Sequence, residues 1–368
     1  MGFRTPSILQ TSASCLAVSA SWALGSGPAE AVEIVEIAHL AGAHIQRPSW
    51  SPDGSRLSWE ANFHDRSTLE LYVGTPRGGG SPVRPPARAR SSLSAGFETV
   101  GSTGVVHELT WAPTAIGAFA YSATNAQEDY DLYIGGAAVV RSPGADGGAS
   151  WSPDGAFIVF TSSRSGDGDL YLIDVARIEL PPRRLTAIPR ASELHAAWSP
   201  DSRSIAFVGH GPTGDHLWLT TPDEAPPTQL THLPGSQLHP SFSPEGSQLA
   251  FYASEPSSED FGLYIMDLRP PSPPRRILAS VVVDPHGPAW IDSSSLLVVA
   301  EDDDAFDPIV RVTTAGERFV LPLDTVGNRD LALNRSGSGV RLAWCAQGRR
   351  DGLVRDFRRL YTAEFSSL

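Results

Sequence analysis

The sequence contains no lysine, so all 28 of its basic residues are arginine. Acidic residues outnumber them at 41, which gives a net charge of −13 at pH 7. An acidic surface is poorly suited to nucleic acid, whose phosphates require a basic surface. We therefore expect no nucleic-acid partner.

Cysteine is almost absent, with only Cys15 and Cys345 in the chain. Two cysteines cannot build a disulfide framework. The sequence also lacks a G-x-S-x-G nucleophile elbow, a phosphate-binding loop and a cysteine-rich metal motif, which argues against a serine hydrolase. After the N-terminal region no apolar run is long enough to span a membrane, so we do not expect a membrane-spanning protein.

The N-terminal residues have the pattern of an export signal. Arg4 precedes an apolar stretch at 8–25, and "AEA" at 29–31 fits a cleavage site of small residues. The pattern predicts a signal peptide over residues 1–31 that is removed after Ala31. The mature protein, 32–368, is then a single domain in the periplasm or outside the cell.

A short turn sequence recurs along the chain. "WSPDG" stands at 50–54 and again at 151–155, and near-copies follow an aromatic residue elsewhere. We call that residue the anchor of each copy. After a first gap of 61 residues, the anchors are 40–48 residues apart. This period is typical of arrays of four-stranded propeller blades. The anchors are Trp50, Trp111, Trp151, Trp198, Phe242, Trp290 and, more weakly, Leu333.

Each copy has the same order of elements. A short strand ends at the anchor, a turn rich in Pro, Asp and Gly follows, and an apolar strand such as 204–209 comes next. A third strand such as 168–174 and a fourth, edge-type strand such as 183–188 complete the copy. Proline inside every copy excludes helices. The pattern predicts an all-β propeller whose anchors pack between neighbouring blades.

The chain termini indicate how the ring closes. The seventh copy ends at 360–365 without a fourth strand, whereas 33–42 resembles one. A ring closed by both termini leaves no exposed sheet edges at its ends. We predict seven blades with the N-terminal strand completing the last, or six if the copy at 111 or 333 is degenerate.

The long first gap contains a segment rich in Pro, Gly and Arg at 77–92. We interpret this segment as an inserted loop, either disordered or able to dock an acidic partner or an anionic envelope surface. Its basic residues are Arg77, Arg84, Arg88 and Arg90.

These repeats resemble the TolB-like, WD-like propeller family. Its signature is an aromatic residue followed by Ser-Pro-Asp-Gly, an "IAF" strand and an "LY-x-x-D" strand, and residues 151–175 match nearly throughout. The resemblance covers about 33–365. Similar repeats occur in periplasmic TolB, in the gating propellers of prolyl-oligopeptidase-like peptidases, in oligogalacturonate lyases and in lone exported propellers. We expect a lone propeller, without the α/β domain of TolB or a peptidase domain.

Histidines cluster just before the anchors. His195 and His239 lie three residues before theirs, and His107 and His286 lie four before. The first strand of each blade lines the central channel, so these imidazoles are candidates for a shared Zn²⁺ or Mn²⁺ ion. The resemblance to oligogalacturonate lyases implies a similar metal held by channel histidines. The alternative is a water-filled structural ring, because adjacent strand positions point to opposite faces.

Other polar residues occupy the same place in the repeat. Arg47 and Asp330 also lie three residues before an anchor, so with the histidines they predict a polar channel lining that is either solvent-filled or able to recognise a peptide end or a small anion. Asp-x-Asp spacing at 166–169 and 301–307 is compatible with calcium or with solvated loop tips. No cofactor is predicted, and a divalent metal is the alternative.

The leading functional hypothesis is a non-enzymatic, monomeric, exported propeller. It binds a protein or peptide of the cell envelope through its channel mouth and surrounding loops. The first alternative is a metal-dependent lyase or hydrolase that acts on a saccharide in the channel. The second is a structural scaffold whose outer loops carry all binding.

Overall fold

The computed structural model describes residues 32–38, 40, 42–63, 68–76, 80–83, 106–113, 118–124, 129–212, 214–223, 225–255, 260–302, 306–336, 339–349 and 357–366. Across these ranges the chain is built of β-strands, with one 3₁₀ turn at Val175–Arg177. No helix within them is long and apolar enough to cross a membrane. The predicted export signal and the arginines at 77, 84, 88 and 90 lie outside the described residues.

The strands follow one another in groups of four. The first groups are β1 (Ile34–Ala38), then β2 (Ala43–Trp50), β3 (Leu57–Phe63), β4 (Thr68–Gly74) and β5 (Gly80–Val83), then β6 (Val106–Trp111), β7 (Phe119–Thr124), β8 (Tyr130–Ile134) and β9 (Ala137–Val140), then β10 (Asp146–Trp151), β11 (Phe157–Ser162), β12 (Asp169–Asp174) and β13 (Arg183–Arg184).

The remaining strands continue the pattern. They are β14 (Ser192–Trp198), β15 (Ile205–Gly211), β16 (Gly214–Thr220) and β17 (Thr228–Gln229), then β18 (Gln237–Phe242), β19 (Gln248–Ser254), β20 (Phe261–Asp267) and β21 (Arg275–Val281), then β22 (Ala289–Asp292), β23 (Ser295–Val299), β24 (Ile309–Thr313) and β25 (Arg318–Val320), then β26 (Thr325–Val326), β27 (Arg329–Ser336), β28 (Gly339–Ala346), β29 (Gly348–Arg349) and β30 (Arg359–Phe365).

Twenty-eight of these strands form seven four-stranded antiparallel blades, and β26 pairs with β29 in a separate two-stranded sheet. Blades 1 to 6 run outward in chain order from β2, β6, β10, β14, β18 and β22. Blade 7 has the order β27, β28, β30, β1, so the N-terminal strand supplies its outermost member, with Ile34 opposite Ala363. The predicted seven blades and the predicted closure by the N-terminal strand are both confirmed, and the copies at 111 and 333 are complete blades.

The blades close into a ring around a channel. The first strand of each blade contacts the first strand of the next, and β27 of blade 7 contacts β2 of blade 1. The described residues form one apolar cluster between each pair of neighbouring blades. Trp59 and Trp344 are among the largest buried side chains. Because a single sheet cannot bury both faces, each blade depends on its neighbours for a core.

The recurring turn is held by its buried serine. In blade 1 the Ser51 hydroxyl accepts a hydrogen bond from the Arg56 amide at 2.9 Å and donates one to Asp53 at 2.6 Å. The Asp53 carboxylate also accepts bonds from Ser55, and these bonds, led by that of Ser51, lower the pKa of Asp53 to about 2. Gly54 follows with φ of +65°, which suits glycine.

Some strand boundaries differ from those that the sequence predicts. Residues 80–83, inside the predicted inserted loop, form β5 and pair with β4 as the fourth strand of blade 1. The interpretation of all of 77–92 as a loop was therefore wrong, because the pairing of backbone groups overrides an unfavourable composition. The fourth strands of blades 3, 4 and 6 are only two or three residues long. Short edge strands give little surface for unwanted pairing.

Candidate functional site in the central channel

Every blade has the same backbone irregularity at the residue three places before its anchor. At this position φ lies between +50° and +79° in all seven blades, and the strand register shifts around it in six. This is the geometry of a β-bulge, in which one extra residue turns out of the ladder. We call these residues the bulge ring: Arg47, Glu108, Gly148, His195, His239, Gly287 and Asp330.

Carboxylates of the ring hold the bulges of the following blades. Asp330 Oδ2 accepts a hydrogen bond from the Arg47 amide at 3.1 Å, which joins blade 7 to blade 1. Glu108 Oε2 accepts one from the Gly148 amide at 2.5 Å, which joins blade 2 to blade 3. A bulged amide has no partner in its own sheet, so an acceptor from the neighbouring blade satisfies it. Asp330 and Glu108 therefore have a structural role in the ring.

Arg47 is the cation of the ring, and two carboxylates share it. Its guanidinium lies 3.7 Å from Glu60 Oε1 and 3.8 Å from Glu108 Oε1. Glu60 is buried in the middle of β3 and also accepts the Glu108 amide at 2.7 Å. The positive charge of Arg47 is thus largely balanced within the protein, which limits its pull on an outside anion.

The two histidines of the ring stack on each other. The imidazole centroids of His195 and His239 are 3.7 Å apart with an angle of 27° between the ring planes. Burial, together with His195, His286 and Arg47, lowers the pKa of His239 to about 3. Burial also lowers the pKa of His195. Both rings are therefore neutral at pH 7, and stacked neutral rings present edges that donate and accept hydrogen bonds.

His286 lies beside the ring and forms a pair with Asp284. The Asp284 carboxylate is buried, and its Oδ1 lies 3.4 Å from His286 Nδ1 and accepts the His286 amide at 2.9 Å. Its other oxygen accepts the Leu331 amide of blade 7. Burial alone would lower the pKa of His286, but the hydrogen bond and charge of Asp284 outweigh it and raise that pKa. His286 is therefore the histidine of the channel that gains a proton most readily.

A cavity of about 430 Å³ opens on the channel between blades 5, 6, 7 and 1. We call it the channel cavity. Its walls are apolar and polar in equal parts, and His286 contributes to them. Pockets of this size bind small molecules or short peptide segments. The aromatic and proline residues in its wall are Trp50, Phe242, Trp290, Pro48, Pro52 and Pro288.

Most of the channel-mouth residues that the sequence predicts lie on or beside the bulge ring. Arg47, His195, His239 and Asp330 belong to it, and His286 immediately precedes its Gly287. His107 lies on β6 opposite Ser122, and its side chain is outside the described part of the chain. Among the described residues, no group of three or more His, Cys, Asp or Glu side chains is placed to hold one metal ion.

The stacked histidines can be compared with what a shared metal needs. A metal ion binds imidazole nitrogen in the plane of the ring at about 2.0–2.1 Å. Rings that face each other at 3.7 Å direct their in-plane lone pairs side by side instead of toward one point. Joint ligation by His195 and His239 requires these rings to turn.

The two Asp-x-Asp segments are engaged with protein groups. Asp169, at the end of 166–169, is buried and forms an ion pair with Arg184 at 2.8 Å. Asp307, at the end of 301–307, pairs with Arg329 at 2.6 Å. Residues 303–305 lie outside the described chain. Asp169 and Asp307 therefore have arginine partners.

Sequence reasoning missed two buried acids that support the site. Glu60 lies inside an apolar strand, and Asp284 lies two residues before His286. A charged residue within a run of buried strand residues is unusual unless it has partners. That signal is present in "RLSWEA" at 56–61, but it does not say which blade supplies the partner.

Comparisons with known proteins identify the fold and leave the activity open. No protein-family model matches the sequence, and a search of curated proteins found no significant match. Similar solved structures exist. TolB from Acinetobacter baumannii is 16% identical with a TM-score of 0.52, and the match covers 79% of this chain and 66% of TolB.

Two oligogalacturonate lyase structures are similar over a larger share of the chain. The enzyme from Vibrio parahaemolyticus is 13% identical with a TM-score of 0.57, and the match covers 91% of this chain and 94% of that enzyme. An oligogalacturonate lyase in complex with manganese is 13% identical with a TM-score of 0.56, covering 91% and 93% of the two chains. At such identities the likeness shows a common fold and does not transfer an activity. The chain is a β-propeller with seven four-stranded blades, and its fold is similar to those of TolB and the oligogalacturonate lyases.

Proposed function

We propose that the protein is an exported, non-enzymatic propeller that binds a protein or peptide of the cell envelope in its central channel. The observation that supports this proposal is the channel cavity of about 430 Å³, whose walls combine aromatic and proline side chains with polar groups and which lies beside the bulge ring. Proline and aromatic walls lose little conformational freedom when a ligand binds, which favours recognition.

The charge distribution also favours recognition of a largely uncharged segment. The carboxylates of Glu108 and Asp330 accept bulge amides, and Arg47 is shared by two carboxylates. The groups left to meet a ligand are the neutral His195 and His239 and the more basic His286. Such groups exchange hydrogen bonds with a peptide backbone and do not require a charged ligand.

Site-specific photo-cross-linking tests this proposal. A benzophenone amino acid replaces Pro52, an exposed residue at the edge of the channel cavity. The matched control is Pro153, the equivalent exposed turn residue of blade 3, which does not line the cavity. A second control is Val320, 57% exposed on the outer edge of blade 6.

The full chain with its own N-terminus is expressed in the envelope of a bacterial host that exports it. We expect a discrete cross-linked product from position 52 that is much weaker from 153 and absent from 320. Products from position 320 alone would contradict channel binding and support the scaffold hypothesis. Equal products from all three positions would also contradict it.

The metal-dependent enzyme is the second candidate function. Two lyase structures of the same fold, one of them with manganese, support it. Elemental analysis of the purified protein before and after chelation separates the two functions. One equivalent of a transition metal, lost in the variants His195→Ala and His239→Ala, would favour the enzyme. Metal content at background in all samples would favour the binding propeller.

Export belongs to the same proposal. The support is the N-terminal pattern of Arg4, the apolar stretch at 8–25 and the small residues at 29–31. Intact mass and N-terminal sequencing of protein recovered from the envelope should give Val32 as the first residue. A protein that retains residues 1–31 in the cytoplasmic fraction would contradict export.

A further inference from the structure

Four of the five tryptophan anchors make the same contact with the preceding blade; Trp151 is the exception, because its indole nitrogen has no hydrogen-bond partner among the described residues. The indole nitrogen of Trp111 donates a hydrogen bond to the Ser49 carbonyl of the preceding blade at 3.1 Å. The acceptor is in each case the residue immediately before the preceding anchor. The same bond joins Trp198 to Ser150 at 3.1 Å, Trp290 to Ser241 at 3.1 Å and Trp50 to Ala332 at 3.2 Å.

Two blades have no indole at this position, and the channel cavity lies beside both. Blade 5 has Phe242 and blade 7 has Leu333 as anchor, and both residues line the cavity. The side chain of Leu333 has neither an aromatic ring nor an N–H group, and the residue is only partly buried. The carbonyl equivalent to the indole acceptors of the other blades is that of Ala289, which also lines the cavity.

The remaining walls suit an aromatic ring. Trp50 and Trp290 belong to the blades on either side of blade 7 in the ring, and both border the cavity. Pro48 and Pro288 add rigid apolar surface. Aromatic rings pack favourably against such surfaces in offset or edge-to-face geometry, and a buried N–H needs an acceptor. The volume of about 430 Å³ exceeds that of one indole side chain, so flanking peptide backbone fits as well.

We infer that the channel cavity binds an aromatic side chain with a ring N–H, the indole of a tryptophan presented by the partner. The ligand takes the place that an anchor tryptophan of blade 7 would have, and its N–H donates to the Ala289 carbonyl. This inference rests on the proposed function for the source of the indole. The cavity and its affinity for indole can be measured without any partner.

The test uses N-acetyl-tryptophanamide as the probe and Leu333→Trp as the variant. The new indole occupies the cavity from within the chain, so we expect probe binding to fall at least tenfold by ligand-observed NMR or calorimetry. We also expect thermal stability to rise, because the variant restores the repeat. Val320→Trp is the matched control, since it adds an indole on the outer edge and should leave probe binding unchanged.

A second probe tests the acceptor. The 1-methyl analogue of N-acetyl-tryptophanamide keeps the ring and loses the N–H. One hydrogen bond contributes about 0.5–1.5 kcal/mol, so binding should weaken about three- to tenfold. If Leu333→Trp does not fold, Leu333→Ala replaces it. That variant enlarges the cavity and should still bind the probe.

The outcomes separate this inference from the proposed function. No saturable binding of the probe to the unmodified protein would overturn the inference. Equal binding to Leu333→Trp and to the unmodified protein would overturn it as well. Cross-linking from position 52 without probe binding leaves channel recognition standing and removes the aromatic ligand. Probe binding without cross-linking supports the indole site and contradicts the proposed partner.

Discussion

His239 shows how the channel fixes the protonation of a single residue. Burial is the main cause that lowers its pKa to about 3, and the neighbouring His195, His286 and Arg47 act in the same direction. Glu108 and Asp215 also face this pair and oppose the shift at His195. His286, beside the Asp284 carboxylate, shifts the other way. The pKa values of histidines within one channel therefore shift in opposite directions because of their immediate partners.

We predict that protonation of the channel follows this order. As the pH falls from 7, His286 gains a proton first, while His239 stays neutral far below the usual histidine pKa of about 6.5. NMR titration of the histidine ring protons measures both. A midpoint near 6.5 for His239 would contradict the stacked arrangement of His195 and His239.

The lowered pKa of His239 also makes the free energy of unfolding depend on pH. A base whose pKa is lower in the folded state favours folding fully above its unfolded pKa and loses that contribution as the pH falls. Between pH 6.5 and about 3, His239 therefore lowers the free energy of unfolding. In urea unfolding over this range, His239→Gln should lose less stability than the unmodified chain. Parallel losses would show that His239 does not contribute.

Within the first strand of a blade, the β-bulge decides which residues reach the channel, and the simple alternation of side chains does not. Seven positive φ angles at one place in the repeat bring residues from separate blades around the channel. Two of the seven bulge-ring residues, Gly148 and Gly287, are glycines, and their surroundings differ. A Cβ on Gly287 would lie 2.8 Å from the His239 carbonyl oxygen, whereas one on Gly148 would meet its nearest atom at 3.7 Å.

The paired variants Gly148→Ala and Gly287→Ala test this difference. Positive φ costs a residue with a Cβ about 1–2 kcal/mol, and both variants bear that cost. Gly287→Ala also forces two backbones apart, so its loss of unfolding free energy should exceed that of Gly148→Ala by about 1 kcal/mol or more. Urea unfolding compares the two. Equal losses would contradict the close contact between blades 5 and 6.

The repeat predicts the blades well because its signals are local. The buried serine and the aspartate of each turn act within six residues, so the hairpins at Trp50, Trp151 and Trp198 can be predicted directly from the sequence. The bulge ring could not be predicted in the same way. Strict alternation of side chains along a strand would place His195 and His286 on opposite faces, because His195 lies three residues and His286 four residues before its anchor. The β-bulge brings residues at both of these positions to the channel. β5 was missed because Gly and Pro dominate its segment.

In the whole molecule, closure of the ring gives the joint between blades 7 and 1 the same indole bond that three other joints have. The Trp50 indole bonds to the Ala332 carbonyl from 282 positions away at 3.2 Å, and the Trp198 indole makes the corresponding bond within consecutive blades at 3.1 Å. Asn334 Nδ2 adds a further bond to the Ser51 carbonyl at 3.2 Å. The closing joint therefore has the same kind of contacts as an internal one.

We predict that Trp50→Phe and Trp198→Phe destabilise the protein equally. Each removes one hydrogen bond between blades, worth about 1 kcal/mol, and leaves the ring packing in place. Urea unfolding followed by circular dichroism measures both losses. If Trp50→Phe left the free energy of unfolding unchanged while Trp198→Phe lowered it, the closing joint would contribute little and the blades would behave as an open array.

The cavity also belongs to the whole ring, since four blades supply its walls and no single repeat contains it. Two departures from the repeat, Phe242 and Leu333, meet there. The sequence shows both departures. Their proximity follows only from the closed ring, which places blades 5, 6, 7 and 1 around one side of the channel.

The most direct test of the account is cross-linking from position 52 in the presence and absence of Leu333→Trp. The account predicts a partner adduct from the unmodified cavity that is lost when the new indole fills it, with folding unchanged by circular dichroism. An adduct of the same yield in both chains would contradict binding in the channel cavity.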